Sequence, residues 1–319
     1  MSEFGEIIEN LALAKMLEKK VETKQLSHAY LFVSGDELFL GEFCDWFASK
    51  ILNDEVKVKS LTHPDYFKIN QQKNITVEQI EPIVSDVYVS PLQAEQKVYV
   101  IFDANCLTQE AQNKLLKTIE EPPKNVVLIL AAKAVGAMLP TVLSRVARFD
   151  IDPLTEGQIK KLLIGHGVEE NKANIISTCA NGNFSHALNL SSNEDFFATY
   201  NLAVKLVGEI NSSKDIMPFA SKIDLSKISL FEFIDLTISL VRDIMVIIAG
   251  KNELVTNKLI IVDLIKFSNQ YNLISVEKIL KMLNNARKNL FFNSNAQMVL
   301  DELLLDFVEV KVRCKKLLA

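Results

Sequence analysis

A glycine-containing loop at residues 34–43 has the outline of a phosphate-binding loop. The apolar run "HAYLFV" precedes it and an amphipathic run follows it, as in the strand–loop–helix setting of the motif G-x-x-x-x-G-K-[ST]. In that motif, backbone N–H groups surround the phosphates, the lysine contacts the β- and γ-phosphates and the hydroxyl binds Mg²⁺. Here Gly35 and Gly41 are present, but Glu42 and Phe43 stand where the lysine and the hydroxyl are needed.

The loop also has the wrong charge for a nucleotide. Asp36, Glu37 and Glu42 would repel a triphosphate, and no cation offsets them. We therefore predict that Gly35 and Gly41 belong to a degenerate loop, which keeps the strand–loop–helix shape without binding nucleotide. The sequence predicts no cofactor.

Alternating patterns on either side of the loop indicate how it is positioned. Helical spacing over residues 6–21 is followed by five apolar strand runs, which alternate with helical patterns: "HAYLFV", "DYFKI", "KVYVIF", "NVVLILAA" and "ARFDI". Near-continuous apolar strands between helices predict a parallel sheet covered on both faces. The periodicity beyond this region is helical. We predict an α/β domain over residues 1–153, a small helical domain over 154–208 and a larger helical domain over 209–319.

Composition limits the classes of function that the chain can serve. The 319 residues carry a formal net charge of −5, without the basic excess common in DNA-binding domains. The four cysteines include no C-x-x-C pair, which argues against a zinc module and against a disulfide framework. No stretch approaches the roughly 20 apolar residues of a membrane helix, and the N-terminus does not resemble a signal peptide. The sequence therefore predicts a soluble cytoplasmic protein with reduced thiols, no bound metal and no membrane partner.

Five stretches in order carry a resemblance to a known family: "LSHAYLFVSG", "HPDYFKI", "KVYVIFDAN", "AQNKLLKTIEEPP" and "LPTVLSRVARF". Together they resemble the delta-prime family of bacterial DNA polymerase III clamp-loader subunits, within the AAA+ class. The resemblance implies a RecA-like AAA+ parallel-sheet domain, a small helical lid and an all-α collar through which five subunits form a ring. It also implies the partners: motor subunits of the gamma/tau type, a delta subunit, the sliding clamp and primed DNA. The ring opens the clamp and places it on the DNA.

The resemblance identifies three further positions at which ATP chemistry is lost. Active members end the third strand with Asp-Glu for Mg²⁺ and the attacking water, whereas this chain has Phe102 and Asp103. Phenylalanine cannot ligate Mg²⁺, and we interpret Asp103 as a carboxylate that caps the end of the strand. The polar sensor position after the next strand is replaced by Ala131 and Ala132, and the lid arginine by Ser185. The chain is therefore predicted not to be an enzyme on its own, although the holoenzyme that it would join is a DNA-directed DNA polymerase.

One charged residue keeps a catalytic assignment under this resemblance. The stretch "LPTVLSRVARF" matches the Ser-Arg-Cys motif of the family, whose arginine reaches the ATP site of the neighbouring subunit; Val146 replaces the cysteine. The match implies that Arg145 is a trans arginine finger and that Ser144 supports it. A guanidinium is always charged and can bridge phosphate oxygens. Judged by the residues alone, Arg145 is an ordinary surface arginine at the end of a helix.

Two alternative functions stay open. The chain could be a self-sufficient AAA+ ATPase with an atypical loop. It could also be the delta subunit, which grips the clamp through an apolar helix and does not need Ser144 and Arg145. Many relatives carry a four-cysteine zinc module before "HPD", but "NDEVKVKSLT" fills that interval without a cysteine. We interpret His63, with Pro64 and Asp65, as part of a turn before a strand.

Overall fold

A computed structural model describes residues 3–70, 74–226, 228–292 and 294–318. The chain forms two compact units. The first comprises Met1–Gly167 and Gly182–His186, and the second comprises Val168–Asn181 and Ala187–Ala319. The division into three domains stays a prediction.

The first unit is built on a parallel sheet, as the strand pattern predicts. Its strands are β1 (Ala29–Val33), β2 (Tyr66–Ile69), β3 (Lys97–Ile101), β4 (Val126–Ala132) and β5 (Ala147–Asp150). All pair in parallel, in the order β2-β3-β4-β1-β5. The carboxyl ends of β3, β4 and β1 therefore lie side by side, at the edge of a parallel sheet where ligands usually bind.

In the described residues of the first unit, eight helices accompany the sheet. They are α1 (Glu3–Asn10), α2 (Ala12–Glu22), α3 (Glu37–Leu52), α4 (Glu55–Lys59), α5 (Val77–Asp86), α6 (Gln109–Glu120), α7 (Pro140–Leu143) and α8 (Glu156–Gly165). Some are in contact with the strands and others pack on α3 or α1. Side chains alternate across β1, so that Leu31 joins the buried cluster with α5 and α6. Tyr30 and Phe32 point the other way, where their rings meet Phe47 and Phe43 of α3 at centroid distances of 5.0 and 5.1 Å. Both faces of the sheet are thus covered, as predicted, and each buried ring contributes about 1.5–3 kcal/mol.

The second unit is helical. Its helices are α9 (Glu170–Cys179), α10 (Phe184–Ser192), α11 (Phe196–Gly208), α12 (Ser213–Ala220), α13 (Leu230–Ile248), α14 (Ile261–Ser268), α15 (Leu273–Phe291) and α16 (Ala296–Leu318). The first turn of α10, up to His186, belongs to the first unit. Within the second unit, the fully buried carboxylate of Asp243 accepts hydrogen bonds from the N–H groups of Thr256 and Asn257 at 3.0 and 2.8 Å. Among the described helices, none has the length and apolar character needed to cross a membrane.

Candidate functional site

Asp36 ends the turn from β1 into α3 and caps two helices at once. Its Oδ1 accepts hydrogen bonds from the N–H of Phe39, in the first turn of α3, and from the N–H of Ser185, both at 3.2 Å. Its Oδ2 accepts from the N–H of Phe184 at 2.5 Å, so the same carboxylate also caps α10. Asp36 is 5% exposed. Because the N-terminus of a helix carries partial positive charge, one buried carboxylate here satisfies two such ends.

Ser185 completes this arrangement from the side of α10. Its hydroxyl donates to Asp36 Oδ1 at 2.6 Å and accepts from the N–H of Leu38 at 2.9 Å. Asn183 Nδ2 donates to the carbonyl oxygen of Gly35 at 2.8 Å. The N–H groups that the start of a helix offers to an anion are therefore already bonded within the chain.

Lys133 brings a cation to the same edge of the sheet. It follows β4 directly, and its Nζ lies 2.8 Å from Glu37 Oε2 and 3.7 Å from Asp103 Oδ1. The hydrogen bond with Glu37 raises the pKa of Lys133 against the opposing effect of partial burial, and the charge of Asp103 adds to the increase. The expectation that no cation offsets the carboxylates of the loop is wrong, because a lysine distant in sequence reaches them.

Phe102 and Asp103 end β3 at this edge. Asp103 adopts a left-handed φ of 49° and is 6% exposed. It precedes a 3-10 turn, but its side chain makes no capping hydrogen bond there. The predicted capping role is therefore wrong, and the carboxylate faces Lys133 instead. The Phe102 ring is buried against α3, where a methyl group added at Gly41 would lie 3.8 Å from it, an ordinary contact.

The two glycines of the loop do not use the freedom that glycine provides. The glycines with positive φ in the described residues are Gly167, Gly182 and Gly250, and neither Gly35 nor Gly41 is among them. Gly35 has no atom within 4 Å of the position that a Cβ would take. An alanine is thus sterically acceptable at both loop positions.

Aromatic rings fill the space beside the capped loop. Phe4 of α1 meets Phe184 edge to face at a centroid distance of 5.3 Å and lies 6.2 Å from Phe39. The ring of His166, directly after α8, lies 5.2 Å from Phe184. Phe39 and Phe184 are almost fully buried. These contacts join α1, α3 and the end of α8 to the first turn of α10, and the sequence offered no signal for them beyond the aromatic residue types.

Arg145 and Ser144 lie together at the turn from α7 to β5, where their described contacts include no hydrogen bond or ion pair with Asp36, Ser185 or Lys133. Arg145 Nη1 donates to the carbonyl oxygen of Thr141 at 3.0 Å and to Ser144 Oγ at 3.1 Å. Arg145 Nε forms an ion pair with Glu120 Oε1 at 2.6 Å. The arginine side chain is 41% exposed, so its guanidinium is both held and accessible.

Gln112 connects α6 to the segment that leads into α7. Its Nε2 donates to the carbonyl oxygens of Leu107 and Ala137 at 3.0 and 3.1 Å, and its Oε1 accepts from the N–H of Leu139 at 2.7 Å. The residue is 1% exposed. Sequence reasoning missed this connection, although a polar residue on the apolar face of "AQNKLLK" was the available signal.

The turn before β2 contains the predicted pair of His63 and Asp65. The N–H of Asp65 donates to His63 Nδ1 at 3.1 Å, and both residues are buried. The Asp65 carboxylate accepts from the N–H groups of residues 92–94 at 2.7–2.8 Å, so it fixes the loop between α5 and β3. In the part of the chain that the structure describes, no group of three or more His, Cys, Asp or Glu residues could hold a metal ion.

The parallel five-stranded sheet, with a loop leading into a helix after a central strand, forms an α/β domain of the kind that the sequence predicts, and a helical region follows it. The family described as DNA polymerase III, delta subunit, matches residues 10–155. The chain is 27% identical to the DNA polymerase III subunit delta' of Bacillus subtilis, over 91% of this chain and 94% of that protein. It is 28% identical to the DNA polymerase III subunit gamma of Buchnera aphidicola, over 77% of this chain and 76% of that protein.

A solved structure of a DNA polymerase III gamma subunit-related protein from Thermotoga maritima is similar to the chain, at 19% identity and a TM-score of 0.47. The alignment covers 92% of this chain and 99% of the Thermotoga maritima chain. The relatives that match the chain are named as subunits delta', gamma and tau of DNA polymerase III.

Proposed function

We propose that this chain is a delta-prime-type subunit of a DNA polymerase III clamp loader and does not hydrolyse ATP itself. The observation that carries the proposal is the Asp36 carboxylate, which binds the N–H groups of Phe39, Phe184 and Ser185. A nucleotide phosphate at the start of α3 would compete for these donors and would meet a fixed negative charge. Lys133, which lies at the same edge of the sheet, is paired with Glu37 and is therefore not free to contact a phosphate.

In this proposal the chain joins motor subunits of the gamma/tau type and a delta subunit in a ring. The ring opens the sliding clamp and places it on primed DNA, in the cytoplasm. The relatives named delta', gamma and tau support the class of assembly. The composition of the Asp36 site favours the non-catalytic member, because Glu42 and Phe43 stand where a motor subunit needs lysine and a hydroxyl.

Arg145 is the residue that we propose acts in trans, as a finger at the ATP site of a neighbouring motor subunit. Its side chain is 41% exposed, and its Nη1 donates a hydrogen bond to Ser144 Oγ, which supports the secondary role assigned to the serine. Charge on a γ-phosphate oxygen is stabilised by a planar cation that donates two hydrogen bonds. In GTP-hydrolysing systems an arginine finger increases the rate about a thousandfold or more.

The experiment is clamp- and DNA-stimulated ATP turnover, together with clamp loading, in the reconstituted complex. Arg145→Ala should assemble normally and lower total ATP turnover only in part, because one of several sites is affected, while clamp loading falls further. Arg145→Lys should restore little, since an ammonium lacks the planar fork. The matched control is Arg148→Ala, which removes an arginine of similar exposure that pairs with Asp150 at 2.7 Å. Wild-type loading by Arg145→Ala would show that the assignment is wrong.

The delta alternative has one observation in its favour. Three apolar residues after α5 are exposed: Tyr88 by 59%, Val89 by 54% and Leu92 by 79%. These residues lie between α5 and β3 and not in the apolar helix that the delta alternative requires, so they offer it an exposed apolar surface only. Binding of the isolated chain to the sliding clamp, lost on substitution of Leu92 by serine, would favour this alternative over the delta-prime assignment.

A further inference from the structure

Glu120 is the last residue of α6, and its carboxylate faces the guanidinium of Arg145. We infer that Glu120 is a positioning residue, which holds Arg145 in the orientation that a phosphate of the neighbouring subunit requires. The inference rests on the proposed role of Arg145 and adds a second residue to that site. Glu120 does not touch the nucleotide in this scheme, because it acts through the arginine.

The guanidinium is fixed on two of its three nitrogens. Nε is paired with Glu120 Oε1 at 2.6 Å, and Nη1 is bonded to the carbonyl oxygen of Thr141 and to Ser144 Oγ. Nη2 makes no hydrogen bond to a residue that the structure describes. The pairing therefore turns one edge of the guanidinium towards the protein and leaves Nη2 for an acceptor outside the chain. A phosphate oxygen is an acceptor of the kind that this group binds best.

The position of Glu120 is set by α6, which is anchored along its length. Thr108 caps the start of the helix by accepting a hydrogen bond from the N–H of Ala111 at 3.2 Å. The buried side chain of Gln112, in the first half of α6, forms hydrogen bonds with the carbonyl oxygen of Ala137 and the N–H of Leu139, in the segment before α7. The carboxylate at the C-terminus of α6 and the arginine after α7 thus belong to two elements that are bonded to each other.

The advantage of this pairing is preorganisation. A free arginine side chain samples many rotamers, and selecting one of them at the moment of contact reduces affinity for the phosphate. An exposed ion pair stabilises one orientation of the arginine only weakly. We therefore expect the removal of Glu120 to decrease clamp loading by about two- to fivefold. Salt weakens pairs between exposed charges, so the difference in clamp loading between the wild type and Glu120→Ala should shrink as salt is added.

The test is a double-mutant cycle in the reconstituted clamp loader, with clamp loading as the measurement. Glu120→Ala should lower loading in the wild-type background and have no further effect in the Arg145→Ala background. Glu120→Gln should fall between the wild type and Glu120→Ala, because it keeps an oxygen acceptor without the charge. The matched control is Asp150→Ala, which removes the partner of Arg148 and should leave loading unchanged.

The outcomes separate the inference from the proposed function. If Arg145→Ala itself loads clamps normally, the finger assignment fails and this inference fails with it. If Arg145→Ala is defective while Glu120→Ala is normal, only the positioning role is overturned. A Glu120→Ala defect that adds fully to the Arg145→Ala defect would likewise overturn it, because a positioning residue has no effect without the residue that it positions.

Discussion

Asp36 and Ser185, 149 residues apart, cap each other's helices. The Asp36 carboxylate accepts hydrogen bonds from the N–H and the hydroxyl of Ser185. The Ser185 hydroxyl in turn accepts a hydrogen bond from the N–H of Leu38, at the start of α3. The loop after β1 and the first turn of α10 are thereby joined without a ligand. In a nucleotide-binding protein these donors would serve an anion from solution.

Replacing Asp36 should destabilise the first unit strongly. Asp36→Ala removes the cap of two helices and leaves buried N–H groups unbonded, so the free energy of unfolding should fall by about 3 kcal/mol. Ser185→Ala should cost about 1 kcal/mol, since it removes a single hydroxyl. Chemical denaturation followed by circular dichroism measures both values. The control is Glu37→Ala, which removes an exposed carboxylate from the same loop and should change stability by less than about 1 kcal/mol.

Inorganic phosphate provides a second readout for Asp36→Ala. The vacated N–H groups form an anion site at two helix N-termini, so millimolar phosphate should raise the melting temperature of this variant and not that of the wild type. Equal responses of the two proteins would contradict the interpretation that the carboxylate occupies an anion site.

The local structure of the sheet domain could be predicted from the sequence because its signals are local. Continuous apolar runs predicted the parallel strands. Thr108, a typical N-cap residue, precedes α6, and the pair Pro122–Pro123 follows it, so local residue types mark both ends of this helix, which runs from Gln109 to Glu120. These signals depend on residues a few positions apart, which a single sequence displays directly.

The contacts of the candidate site could not be predicted in the same way. Asp36 before a helix is a typical N-cap residue, but nothing local indicates that Ser185 shares it. Lys133 reaches Glu37 only because β4 lies beside β1. The helical spacing over residues 6–21 also failed locally, because the helix breaks at Leu11 into α1 and α2.

The isolated chain should not bind ATP at micromolar concentrations. The donors at the start of α3 are bonded to Asp36 and Ser185, and Lys133 is paired with Glu37. Calorimetric titration with Mg-ATP should give no saturable heat, whereas a gamma-type motor subunit measured in parallel should give a binding isotherm. A tight one-to-one isotherm for this chain would support the self-sufficient ATPase instead.

The chain should be equally stable with and without a chelator. The interval between α3 and His63 contains α4 and no cysteine, and a structural zinc site typically needs four Cys or His ligands. Elemental analysis of the purified protein should find no stoichiometric zinc, and the melting temperature should be unaffected by a chelator. One zinc per chain would mean that ligands outside this interval have been overlooked.

Asp65 should make the stability of the first unit dependent on acidity. Burial alone would raise the pKa of this carboxyl, but the N–H groups of Ala94, Leu92 and Gln93 outweigh that effect and hold the pKa below its usual range. The stabilisation is therefore complete above the pKa of the unfolded chain, about 3.9, and is lost as the pH falls through the lower folded value. Asp65→Asn should cost about 3 kcal/mol at pH 6, because an amide cannot accept all three hydrogen bonds. The cost should shrink towards pH 2 as the wild-type carboxyl becomes protonated.

Denaturation of the wild type and Asp65→Asn between pH 6 and pH 2 measures this difference in the free energy of unfolding. The control is Asp152→Asn, which changes an exposed aspartate. A cost that stays constant with pH would show that Asp65 stabilises the loop by its shape and not by its charge.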